Sequence, residues 1–160
     1  MTSISRAKAD ATAQATPEHC FAVLAPIDPT LYYPKYGPLP AVVGVRNQSG
    51  AWDTPGRTRR LDLSDGGWVV ETITRSEPPL HFDYALTEFQ KVFGVLVSSA
   101  LAEWSFEAEG EGTRIHWTYS FHGLPGRGWI VKLIVSLWWA PYMRRVLPPI
   151  VAEIERGSAH

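Results

Sequence analysis

The sequence predicts an α+β fold in which a curved antiparallel sheet of about seven strands wraps around one long C-terminal helix. Three observations carry this reading. Residues 112–121, GTRIHWTYSF, alternate apolar or aromatic side chains with polar ones at the period of a strand. That strand leads through HGLPGRG into an apolar segment, residues 129–142, in which Ile130, Leu133, Ile134, Leu137 and Trp138 recur at helical spacing. Between residues 41 and 121 the chain is punctuated by turn-forming clusters at 48–50, 64–67, 77–79 and 109–112, the pattern of consecutive hairpins rather than of alternating strands and helices.

Each element has its own local reason. Residues 3–13 place Ala7, Ala9, Ala11 and Ala13 on one face and Arg6, Lys8, Asp10 and Thr12 on the other, a half-buried strand with a small inner face. Thr16, Pro17 and Glu18 supply an N-cap, a proline at the first helical position and an acid in the first turn, so a short helix carrying Phe21 and Leu24 follows. Asp28 and Pro29 repeat the signal, while Pro34, Pro38 and Pro40 hold this second helix to about two turns.

The last hairpin of the meander can be registered by pairing Ala108 with Thr113. Phe106 then faces Ile115, Trp104 faces Trp117, Ala102 faces Tyr119 and Ala100 faces Phe121. The opposite face receives Glu107 with Arg114, Ser105 with His116 and Glu103 with Thr118, a set suited to water. Alanines opposite large aromatics leave volume that another element, or a ligand, must fill. The terminal helix is the expected lid, kinked at Pro141 and broken at Pro148 and Pro149, with residues 150–154 restarting as a last turn.

Composition sets the outer limits. A chain of 160 residues that is 45% hydrophobic and 19% charged fits one domain, 1–160, with a real core. Its net charge of −1 lacks the basic excess that phosphates require, so no nucleic acid partner is expected. Arg57, Arg59 and Arg60, followed by Asp62 and Asp65, read as a charged strand face. Cys20 is the only cysteine, which excludes an internal disulfide and a thiolate zinc site and favours a reducing, cytoplasmic setting. The N-terminal stretch has no apolar run to serve as a signal-peptide core, and the greasy run at 129–142 is too short to span a bilayer.

The order strand, two short helices, six-stranded meander and long terminal helix resembles the helix-grip fold of the START-like, or SRPBCC, superfamily, and within it the polyketide cyclase/dehydrase and lipid-transport branch. The residues carrying the resemblance are Thr16-Pro17-Glu18 before Phe21, the run from Gly56 to Arg60, Asp65-Gly66-Gly67 through Glu71, Glu77-Pro78-Pro79, Trp104, and Gly112-Thr113-Arg114 through Trp117. The resemblance implies a cavity between sheet and terminal helix that accepts lipids, polyketides or other apolar ring compounds. It does not by itself choose between carrier, sensor and enzyme.

Candidate site residues follow. Phe82, Tyr84, Trp104, Trp117, Tyr119 and Phe121 on the strands, with Ile134 and Trp138 on the helix, are the expected walls for a small hydrophobic ligand. Glu71 is the first carboxylate to consider as a general acid or base, with Tyr84 and Tyr119 as phenolic alternatives. The facing of Glu71 is open. Pairing Leu63 with Trp68 puts Leu61, Leu63, Trp68 and Val70 inside and Glu71 outside beside Arg60, which is the preferred reading. In the next hairpin a four-residue 77–80 loop aligns Glu71 with Leu86, and one residue more aligns Val70 with Leu86 instead.

His81 and Asp83 share a strand face at i and i+2, but no third ligand accompanies them, so neither a metal nor any other cofactor is expected. There is no Gly-x-Ser-x-Gly elbow. Gly123, Gly126 and Gly128 lack the lysine and the strand–helix context of a phosphate loop. The leading expectation is a ligand-binding protein. One alternative is a polyketide cyclase or dehydratase using a pocket carboxylate or tyrosine. Another is a membrane-contacting lipid-exchange module, or a homodimer, if Val131, Val135, Trp139 and Tyr142 extend an apolar surface around the helix.

Overall fold

The computed structural model describes residues 3–158, so the outermost positions of the expected 1–160 unit lie outside the described residues. Alternating alanines build strand β1 (Ser3–Ala13), with Ala7, Ala9 and Ala13 buried. Helix α1 (Pro17–Leu24) starts at Thr16, whose hydroxyl accepts the His19 N–H at 3.2 Å. Asp28 caps the following segment in the same way, accepting the Thr30 N–H at 3.0 Å. Only a single 3-10 turn, Pro29–Leu31, forms there instead of the expected two-turn helix. The prolines that follow deny the backbone the donors a further turn needs.

Strands β2 (Val42–Arg46), β3 (Thr58–Leu63), β4 (Trp68–Glu77), β5 (His81–Thr87), β6 (Val97–Glu109) and β7 (Gly112–Gly123) form the meander. β1 pairs with β7, giving one seven-stranded antiparallel sheet in the order β1-β7-β6-β5-β4-β3-β2. This is the helix-grip arrangement. A one-turn helix, α2 (Lys91–Gly94), interrupts the chain between β5 and β6 and has no clear sequence signal, since Gln90 makes no side-chain cap.

The β6–β7 register is the expected one throughout, from Ala108 opposite Thr113 to Ala100 opposite Phe121. The β3–β4 register differs by one residue. Asp62, not Leu63, stands opposite Trp68, because the Leu63 N–H closes onto the Gly67 carbonyl within the turn. A slip of one residue exchanges the two faces of a strand. Glu71 therefore points inward opposite Arg59, and its expected pairing outside with Arg60 is overturned. Val69 and Leu61 take the inner positions, while Trp68 and Val70 turn outward.

The terminal helix is continuous but not uniform. α3 (Gly128–Ile134) passes through a π turn, Val135–Trp139, into α4 (Ala140–Ser158). In the π turn the Ala140 N–H donates to the Val135 carbonyl, five residues back. Pro141 thus follows directly on a widened turn. Pro148 and Pro149 do not break the helix either, because both lie on its exposed face. The carbonyls they leave without an i+4 donor belong to Arg144 and Arg145, also exposed, where water can take the missing bonds.

α4 packs on β1 and α1, and its Tyr142, Met143, Val146, Leu147, Ile150 and Ile154 are buried. The His19 ring fastens α1 to α4 through Nε2, 2.8 Å from the Ile154 carbonyl oxygen. Val131, Val135 and Tyr142 are buried, and Trp139 is half-buried against aromatic neighbours, so these four do not form the outer apolar surface expected of them. The exposed apolar positions of this segment are Trp129, Leu133 and Leu137.

Thr113 locks β7 to the chain after β1. Its fully buried hydroxyl donates to the Ala15 carbonyl at 2.7 Å. Thr113→Val keeps shape and strand preference but leaves that carbonyl only the weak Cys20 thiol donor, 4.0 Å away, so urea unfolding is expected to show a loss of about 1–3 kcal/mol. A change under about 0.5 kcal/mol would mean that the bond holds nothing.

Candidate functional site

Between the concave face of the sheet and the terminal helix lies a cavity that leaves about 130 Å³ open to the centres of water-sized molecules. It is floored by β3, β4 and β5 through Leu61, Val69, Phe82 and Leu86. The segments around Tyr33, Leu39, Trp52 and Phe93 close it, and Val131, Ile134, Val135 and Trp139 roof it.

Of the residues expected to line it, Phe82, Tyr84, Trp104, Tyr119, Phe121 and Ile134 do so, and Glu71 with them. Trp117 and Trp138 do not. Trp117 is 0% exposed and stacks on Trp104, ring centres 4.5 Å apart and planes 11° apart, which puts it within the packed wall. Trp138 lies over Gly37, where an added Cβ would come within 2.7 Å of its Cδ1. The π turn is the reason. It takes more residues per turn than an α-helix, so the inward position after Val135 falls to Trp139 in place of Trp138. The Trp139 ring meets Tyr119 at 4.8 Å and Phe121 at 5.2 Å.

Sequence reasoning missed Arg59, Trp52, Tyr33 and Tyr142 as cavity residues. Arg59 was hidden by the same one-residue slip that hid Glu71. Trp52 sits in a turn-rich stretch with no periodicity to assign it, and Tyr33 in a proline-rich one. The nearest signal was Trp52 itself, a large aromatic in a polar loop, which is rarely left in water.

The polar part of the site is concentrated. Arg59 and Glu71 are 8% and 4% exposed and face each other across β3 and β4, with Arg59 Nε 2.7 Å from Glu71 Oε1. The guanidinium lies over the Trp52 ring, 4.1 Å from its centre. Burial pushes the Glu71 carboxyl above the usual carboxylate range, and Arg59 opposes that shift through its charge and hydrogen bond. Tyr84 is buried beside it, its phenol pushed well up, first by desolvation and then by Glu71, against the relieving effects of Trp104 and Tyr33. Tyr33 and Tyr119 are raised for the same leading reason. All three phenols stay protonated at neutral pH. They are hydrogen-bond donors here, not bases.

The other candidates stand apart from the cavity. His116 is on the outer face, where its Nδ1 meets Asp10 at 2.6 Å. Asp83 faces outward between Arg75 and Glu103, its carboxyl raised by burial and then by Glu103. Cys20 is buried in α1, and burial pushes its thiol up, away from the thiolate. Among the described residues no cluster of His, Cys, Asp and Glu has the form of a metal site, and no helix is long and apolar enough to cross a membrane.

The chain belongs to the polyketide cyclase/dehydrase and lipid transport family, whose pattern matches residues 5–155. Solved structures share the fold at low identity. Norcoclaurine synthase of Thalictrum flavum, a point mutant in complex with a transition-state analogue, is 12% identical with a TM-score of 0.69 over 99% of each chain. The protein XoxI from Bacillus cereus is 11% identical with a TM-score of 0.68, covering 98% of this chain and 99% of that one. Ara h 8.0201 is 18% identical with a TM-score of 0.59 over 96% of each. The chain matches no curated protein.

The Glu71 shift has a readable sign. A carboxyl raised on folding contributes stability that is full below its unfolded value, near about 4.3, and is lost as pH rises through its folded value. Glu71→Gln leaves the Arg59 charge without a counter-ion, a cost independent of pH because the guanidinium stays charged. Thermal midpoints between about pH 4 and about pH 8 are therefore expected to show the wild-type advantage over Glu71→Gln shrinking as pH rises. An advantage that grows with pH would reverse the sign of the shift.

Proposed function

We propose that this protein binds a small hydrophobic or aromatic molecule in the cavity between sheet and terminal helix. The observation that carries this is the space itself, walled mainly by aromatic and aliphatic side chains. The hydrophobic effect supplies the affinity, at about 25 cal/mol for each Å² of apolar surface removed from water. Phe82, Leu86, Tyr119, Phe121 and Trp139 are the walls, and the whole chain acts as one binding unit in the cytoplasm. Membership of a family described by polyketide and lipid handling supports the reading without choosing a ligand.

One observation supports a second reading. Glu71 is a buried carboxyl of raised pKa that opens on the same cavity as three protonated phenols, an arrangement able to move a proton on an enclosed β-keto substrate as a cyclase or dehydratase would. Turnover of such a substrate that vanishes in Glu71→Gln would establish it. For the lipid-exchange alternative, Val131, Val135 and Tyr142 are buried, and the apolar residues this segment exposes are Trp129, Leu133 and Leu137.

Native mass spectrometry of protein released from its host without organic solvent is expected to show the chain with a small adduct that extracts into organic solvent. Val69→Phe places a ring in the cavity floor, and adduct occupancy is expected to fall at least about 10-fold while the fold is kept, since filling an existing space adds little strain. Undiminished occupancy in that variant would place the ligand elsewhere.

A further inference from the structure

An ion pair in a greasy cavity asks for a reason. Two charges taken out of water lose solvation that their mutual attraction restores only with good geometry, and apolar residues of the same size often stabilise as well or better. Arg59 and Glu71 sit in directly opposed positions of two adjacent strands, both inward, where Leu61 and Val69 beside them show that the same floor accepts aliphatic side chains.

The pair is also incompletely used. A guanidinium carries five N–H groups, and among the described residues the Arg59 side chain spends only its Nε, on Glu71 Oε1. Glu71 receives that one bond and has Oε2 left over. Among the described residues the fully buried side-chain nitrogens and oxygens without a partner are the indole nitrogens of Trp52, Trp117 and Trp139. The Nη groups of Arg59 and Oε2 of Glu71 are not among them, and both residues line the cavity. Stacking on Trp52 fixes the guanidinium plane, which fixes the direction of the free donors.

We propose that Arg59 and Glu71 form the recognition point for an oxygen of the ligand, and that the ligand is a neutral molecule, apolar over most of its surface, with a hydroxyl at one end. This deepens, and rests on, the binding reading above. A hydroxyl both accepts, from an Arg59 Nη–H, and donates, to Glu71 Oε2, so one group completes both halves of the pair. The pair is neutral in sum. A carboxylate would meet Glu71 at close range, and an ammonium would meet Arg59, each leaving uncompensated charge in a low-dielectric space. A pure hydrocarbon would cover the free donors and acceptor without satisfying them.

The test uses three probes of one ring system, naphthalene, 2-naphthol and 2-naphthoate, titrated calorimetrically into the wild-type chain at neutral pH. The expected order is 2-naphthol tightest, by at least about 10-fold over naphthalene, with 2-naphthoate weakest. That order opposes plain hydrophobicity, which favours naphthalene. In the double variant Arg59→Met/Glu71→Leu, which removes both charges together, naphthalene affinity is expected to persist and the preference for naphthol to vanish. Naphthalene binding as well as or better than naphthol, naphthoate binding tightest, or a naphthol preference that survives the double variant overturns the inference and leaves the binding reading standing. Binding of none of the three removes both. The wild-type order decides the matter even if the double variant fails to fold.

Discussion

A sheet of seven strands that bends around a single helix offers more concave surface than one helix can cover, and the rest of this structure depends on where the helix settles. The alanines of β1 decide it. Ala7, Ala9 and Ala13 present a floor without bulk, so α4 can approach β1 closely and bury Met143, Leu147 and Ile150 there. A helix drawn to that edge leaves β3, β4 and β5 without close packing from α4. The 3-10 turn, the Trp52 loop and α2 close over them instead, and loops close imperfectly. The cavity is the remainder of that mismatch.

The helix meets the same constraint in its own geometry. An unbroken α-helix would carry the inward stripe from Val131 and Val135 to Trp138. The π turn hands that place to Trp139, whose ring joins Tyr119 and Phe121 into one aromatic corner. Trp138 is thereby displaced onto Gly37, whose backbone has φ +54° and no side chain to obstruct the ring. A single widened turn thus sets which of two adjacent tryptophans faces the ligand space and which fastens the proline-rich segment to the helix.

The sequence made some parts of this legible and hid others for physical reasons. The β6–β7 hairpin was legible because ten alternating positions on each strand and a two-residue turn leave only one register with every apolar side chain on one face. Strand β1, the α1 cap and the overall element order were legible on similar grounds. The β3–β4 pairing was not, since Trp68 and Leu63 are both apolar and lie at a turn, where a closing hydrogen bond rather than hydrophobicity chooses the register. The bulge between Ile73 and Arg75 then lets Glu71 stand opposite Leu86 across a tighter loop than the alternatives weighed from sequence. Arg59 and Glu71 were hidden for a deeper reason. Hydrophobic patterning treats a charged residue as outward, so a buried, paired charge is the feature it is least able to find.

The two adjacent prolines of α4 have a further consequence. With no amide hydrogens at Pro148 and Pro149, the peptide oxygens one turn earlier, at Arg144 and Arg145, depend on solvent for company. Any apolar partner pressed against that stretch would strip them of water and offer nothing in exchange, while two arginine side chains would lose hydration as well. That stretch of α4 therefore has a backbone reason to stay in contact with water, set by the same two prolines that let the helix continue.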